Sequence, residues 1–194
     1  MRFKSIVIDI LRFNWKLGKD VAMDIDELRS LQSPLKERYE QNPDSALIPS
    51  RAEGIIEDED IICQIPSYEG TTVAGLHPAA GGDGSKACSA DMLMETLVAC
   101  AGVTMKAVAT AMRLPFNRAK IIAEGKWDAR GTLGVDQTAP VGLTEVKLTF
   151  EIDSAADPKK IKKLVELTER FCVIFQTLAN PPKLNIQFKP LTNI

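Results

Sequence analysis

A chain of 194 residues, 45% hydrophobic and with a formal net charge of -2, holds enough apolar material for one core plus an appendage and lacks the basic surplus that nucleic-acid binding needs. Its four cysteines are too few for the disulfide framework of a small secreted scaffold and suit thiols that stay reduced in a cytosol. The opening run "MRFKSIVIDILRFNWKLGKD" is interrupted by Asp9 and Arg12 and has no small-residue cleavage site, and no segment reaches the ~18 uninterrupted apolar residues of a membrane span, so a cytoplasmic location and no membrane partner are expected.

In chain order, "DIDELRSLQSPLKERYEQNP" offers Asp24 as an N-cap with Glu27 three residues on, and Pro34 is expected to bend or end the helix before a second short helical piece. Residues 1–49 read as a helical extension and residues 50–194 as the main domain. From Arg51 the period becomes two: "RAEGII" and "IICQI" flank the acidic turn "EDED", and "TTVAGLH" follows the "SYEG" turn, which predicts a meander of three strands. "HPAAGGDGS" is a glycine-punctuated loop, with Ser89 as the expected cap of the next helix.

That helix, "ACSADMLMETLVACAGVTMKAVATAM", repeats Leu93, Leu97, Cys100 and Thr104 at steps of four, three and four, which turns Cys100 inward; Pro115 ends it. "KIIAEGKWDARG" and "VKLTFEID" alternate as half-buried antiparallel strands. "DPKKIKKLVELTERFCVIFQTL" then opens with Asp157 as cap and Pro158 at the first helical position, and puts Ile161, Leu164, Thr168, Phe171, Cys172 and Phe175 on one stripe. "LNIQFK" is expected to close the chain as a strand. The order βββ-α-ββ-α-β predicts an α+β fold with two helices packed on antiparallel sheet.

The two cysteine-bearing stretches, "SADMLMETLVACAGVTMKAVA" and "TERFCVIFQTL", in this element order and behind a glycine-rich loop, resemble the OsmC/Ohr superfamily of osmotically inducible and organic hydroperoxide resistance proteins, over roughly residues 50–190. The resemblance implies an intertwined homodimer with two long cysteine-bearing helices, and a thiol peroxidase acting on organic hydroperoxides. In that reading Cys100 attacks the O–O bond, Cys172 resolves the sulfenic acid as a disulfide, and an external dithiol of the lipoyl type restores both, with no bound cofactor. It also implies a glutamate ten residues before the reactive cysteine and an arginine from the early strands. Here the first position is Ala90, with Asp91 and Glu95 as its acidic neighbours, and the early strands offer Arg51. Because Cys100 lies about three turns into its helix, the helix dipole does little for it, and a nearby cation, Arg51 or a strand arginine such as Arg130, is expected to favour the thiolate.

Other groups have plainer readings. Cys63 sits on a strand and reads as packing; Cys88, at a helix start, is a second redox candidate. His77, the only histidine, stands in a loop with neither a GxGxxG nor a GxxxxGK[ST] pattern, which excludes a nucleotide site. His77, Cys88 and Cys100 lack the close-paired spacing of zinc ligands. Against the peroxidase stands a homodimer of the same fold that binds a small apolar ligand and uses its cysteines only as core.

Overall fold

The computed structural model describes residues 23–58 and 60–190; the reading of the opening run lies outside them. The Asp24 carboxylate accepts from the amides of Asp26 and Glu27, each at 2.9 Å, and so starts α1 (Ile25–Gln41) as the cap pattern requires. Pro34 does not divide this helix, contrary to expectation. A proline removes one donor and crowds the preceding turn, and because α1 buries none of its residues, the carbonyl it frees is open to solvent.

The strands β1 (Ile62–Ser67) and β2 (Gly70–Gly75) form a hairpin through the "SYEG" turn, where Gly70 takes a φ of 129° that side chains disfavour. The third strand of this sheet is not "RAEGII", which contributes only the bridge between Ile55 and Gln64, with backbone bonds of 2.9 Å in both directions. It is β3 (Ala87–Cys88), parallel to β2. Between β2 and β3 the chain doubles back through a turn at Pro78–Ala80, and Gly82 lies so close to Leu76 that an added Cβ would stand 1.8 Å from the Leu76 carbonyl oxygen.

Cys88 is then the cap residue of α2 (Ser89–Ala111), so the helix starts one position earlier than the Ser89 cap predicts. The fully inward stripe of α2 is also rotated: Leu97, Ala101, Met105 and Ala109 are buried, a strict four-residue repeat in which two alanines let neighbouring elements approach. Cys100 and Thr104 fall at the edge of that stripe and are half-buried. Against α2 lies the antiparallel ribbon of β4 (Arg118–Trp127) and β5 (Leu143–Asp153), which pairs Ile121 with Phe150 and Ala123 with Leu148. Its other face carries the cross-strand pairs Lys120–Glu151, Lys147–Glu124 and Lys126–Glu145. A short helix α3 (Ala129–Thr132) leads into the loop between the two strands.

The last helical stretch is two helices, not one. Asp157 caps α4 (Pro158–Phe171), accepting from Lys159 at 2.8 Å, but the chain turns extended at Cys172 (φ -74°, ψ 109°) and restarts as α5 (Val173–Ala179). The Gln176 side chain spans the break by donating to the Glu169 carbonyl at 2.9 Å. Two clusters make the core: Met105, Ala109, Leu114 and Leu164, and beside them Leu97, Ala101 and Cys172. The expected final strand does not form among the described residues: residues 181–190 pair with none of them, and Leu184, Ile186 and Phe188 are 84%, 99% and 89% exposed. The architecture is α+β, with small sheets and helices.

Candidate active site

The break at Cys172 is what builds the site. As the residue that caps both the end of α4 and the start of α5, Cys172 is fully buried against Leu97 and Ala101, and its thiol meets that of Cys100. The same break frees the first amides of α5, which have no partner inside their own helix. Burial pushes the Cys100 thiol up, but the Ile174 amide, the Cys172 thiol, the Val173 amide and the Thr104 hydroxyl together more than offset it, and the Cys100 pKa falls below the ordinary thiol value. Cys172 moves the opposite way: burial raises it, the Phe175 amide relieves this in part, and Cys100 raises it further. The pair is therefore asymmetric by environment, Cys100 partly accessible and more acidic than an ordinary thiol, Cys172 buried and less so.

The strongest influences on Cys100 are amides, a thiol and a hydroxyl, with no cation among them. Among the described residues, the arginines expected near Cys100 lie elsewhere. Arg51 is exposed on the segment before β1 and ion-paired with Glu53. Arg130 is held by Asp128 at 2.5 Å and Asp136 at 3.6 Å. Asp91 and Glu95 are exposed residues of α2 that line a depression against β4 with Met94, Gly125 and Trp127, and neither Cys100 nor Cys172 lines it. Thr104, one turn beyond Cys100 on the same stripe, could have been picked out from its i+4 spacing. Val173 and Ile174 could not, because no Gly or Pro announces the break.

Cys63 packs under Gly54, where an added Cβ would lie 2.6 Å from its sulfur. Among the described residues no three His, Cys, Asp or Glu side chains converge as metal ligands. One helix, α2, is long and apolar enough to cross a membrane, and here it packs against β4, α4 and α5.

Residues 82–187, which include both thiols, match the family described as OsmC-like protein. The chain belongs to that family. No curated protein matches it in sequence. Solved structures share its fold: an OsmC like protein from Mycoplasma pneumoniae is 19% identical, with 69% of this chain and 91% of that one covered at a TM-score of 0.56. An organic hydroperoxide resistance protein OsmC from Legionella pneumophila is 14% identical, with coverage of 69% and 91% and a TM-score of 0.55. An organic hydroperoxide resistance protein from Elizabethkingia anophelis, with thiocyanate bound, is 14% identical, with coverage of 69% and 92% and a TM-score of 0.54.

Proposed function

We propose that this OsmC-like protein is a cysteine-based thiol peroxidase that reduces organic hydroperoxides. The observation that carries the reading is the asymmetric thiol pair: a half-buried Cys100 whose pKa is lowered, in contact with a fully buried Cys172 whose pKa is raised. The Cys100 thiolate attacks the distal oxygen of R–O–OH, the O–O bond breaks, and the alkoxide leaves and takes a proton as the alcohol. Cys100 is left as a sulfenic acid. The Cys172 sulfur then displaces hydroxide from it, which leaves as water with the thiol proton, and the pair becomes a disulfide. A dithiol of the lipoyl class returns both cysteines to thiols by exchange, in a thiol-reducing compartment such as the cytoplasm. We assign the tuning of Cys100 to the α5 amides, Thr104 and Cys172 in preference to Arg51, Asp91 or Glu95.

The working form in this reading is a homodimer of the 50–194 domain, with residues 1–49 as an arm. Three features support it. A two-stranded ribbon such as β4–β5 is marginal alone. The segment 184–188 alternates apolar and polar residues in the manner of a strand yet pairs with no strand among the described residues. Val103 on α2 and Phe171 and Val173 at the helix break are 75%, 55% and 69% exposed.

Reduced protein treated with one equivalent of cumene hydroperoxide tests the chemistry by intact mass and peptide mapping. Rapid loss of two hydrogens with a Cys100–Cys172 crosslink, absent in Cys100→Ser, is the expected result. A mass that stays reduced would sink the peroxidase and leave a dimer whose thiols are core.

A further inference from the structure

We infer that the cavity between the Leu76–Ala80 turn, the first turns of α2, Trp127 and the loop before β5 is a second binding site, for an uncharged apolar molecule that carries one hydrogen-bond acceptor. Its volume is about 580 Å³, within the range of small-molecule sites, and its walls are Leu93, Trp127, Val141, Leu143 and Leu178. No charged side chain lines it, so a charged ligand would lose its hydration without compensation. Among the few polar groups, His77 supplies direction. Its Nδ1 accepts the Ala79 amide at 3.0 Å, which puts the proton of the neutral ring on Nε2, and that N–H has no acceptor among the described residues. The ring is also fixed edge-on to Trp127, with centroids 5.5 Å apart, so an aromatic ligand meets a set aromatic wall.

The cavity is preformed by backbone contacts rather than by adjustable side chains. Gly82 holds the His77 turn against Leu76, and Gly131 brings the opposite loop so near itself that an added Cβ would lie 2.6 Å from the Pro140 carbonyl oxygen and 2.8 Å from that of Ala139. Rigid walls reduce the ordering that binding must otherwise supply. Neither Cys100 nor Cys172 lines the cavity, so the site stands whether or not the thiol pair reduces peroxides. Cys88 does line it and reports occupancy.

The test follows alkylation of Cys88 by N-ethylmaleimide in the full chain, read by peptide mapping, with 2-acetylnaphthalene as the uncharged ketone probe. Saturating probe is expected to slow Cys88 alkylation at least about fivefold while Cys63, outside the cavity, is unaffected. Val141→Trp, at a position 65% exposed where folding is not at stake, should fill the mouth and abolish the protection. His77→Phe should weaken the probe about fivefold to tenfold, the size of one hydrogen bond, and 2-naphthoate should bind more weakly than the ketone. Absence of protection, or protection that survives Val141→Trp, overturns the site. Equal binding by His77→Phe overturns the acceptor. If Cys88 is already shielded without probe at high protein concentration and becomes reactive on dilution, a second copy fills the cavity and the proposal fails.

Discussion

The seam between α2 and α5 and the segment that follows α5 treat the same kind of residue in opposite ways. In the seam, Leu97, Ala101 and Cys172 are fully buried; a few residues past the end of α5, Leu184, Ile186 and Phe188 stand 84%, 99% and 89% exposed. The seam closes through contacts between helices of one chain, so a single copy completes the thiol pair. The trailing segment pairs with no strand among the described residues, although β4 and β5, paired only with each other, each keep a free outer edge. A lone extended segment leaves its amides and carbonyls unpaired, which is the condition that strand addition from another chain relieves. The thiol pair is thus complete within one copy, whereas the proposed dimer rests on the sheets and the trailing segment.

The sharpest way to break this contrast is to remove the reactive sulfur. Cys100→Ser is expected to lower peroxide turnover at least about a thousandfold, since a hydroxyl is a far weaker nucleophile at neutral pH, with the dimer unchanged. Cys172→Ser should retain a single fast turnover and stop at the sulfenic acid, trapped by a dimedone reagent and seen by mass. If both variants turned over normally, the seam would be core and nothing more. Next in size is the segment: Ile186→Asp should weaken self-association at least about a hundredfold by sedimentation, with the Cys100 alkylation rate intact. A simultaneous loss of thiol reactivity would show that the two regions are not separable.

A third comparison sets one leucine from each region side by side. Leu97→Ala leaves a hole under Cys172 and should cost about 2–5 kcal/mol in urea unfolding at any protein concentration. Leu184→Ala, at an exposed position, should stay within about 0.5 kcal/mol where the protein is dilute, and destabilise only where it is concentrated enough to associate.

What the sequence made legible follows the same division. Local signals held: Asp24 and Asp157 as caps, the hairpin of β1 and β2, and the alternation of β4 and β5. Failures came where a partner decides. "RAEGII" and "LNIQFK" alternate like strands, but alternation says nothing of whether an edge is available, and only Ile55 finds one. The rotation of the α2 stripe was hidden because alanines count weakly as apolar, although Ala101 and Ala109 are among its most buried residues. The break at Cys172 was illegible for a different reason: tertiary contact with Leu97 and Ala101, not a breaker residue, holds it. With the break went the α5 amides, which nothing in the sequence places beside Cys100.

The smallest effect is the most discriminating about that last point. Cys100 is an acid whose folded pKa lies below the usual thiol value of about 8.5, so its ionisation stabilises the fold above that value and the gain is lost as pH falls through the lower folded pKa. Cys172 is raised, so the unfolded chain ionises it first and stability declines as pH climbs past about 8.5; the two thiols oppose each other in the alkaline range. Stability curves will show little, and the titration should be read at the sulfur itself. The rate of Cys100 alkylation by iodoacetamide is expected to have a lower midpoint in the folded protein than in the same chain unfolded in urea. Cys172→Ala, which removes the thiol donor, should move that midpoint up, and Thr104→Val should move it up by less, because the hydroxyl is the weaker of the two influences. If neither variant shifts it, the amides of Ile174 and Val173 hold the thiolate unaided; if Arg51→Ala shifts it more than either, a second copy brings the arginine to the seam, and the separation of the two regions gives way.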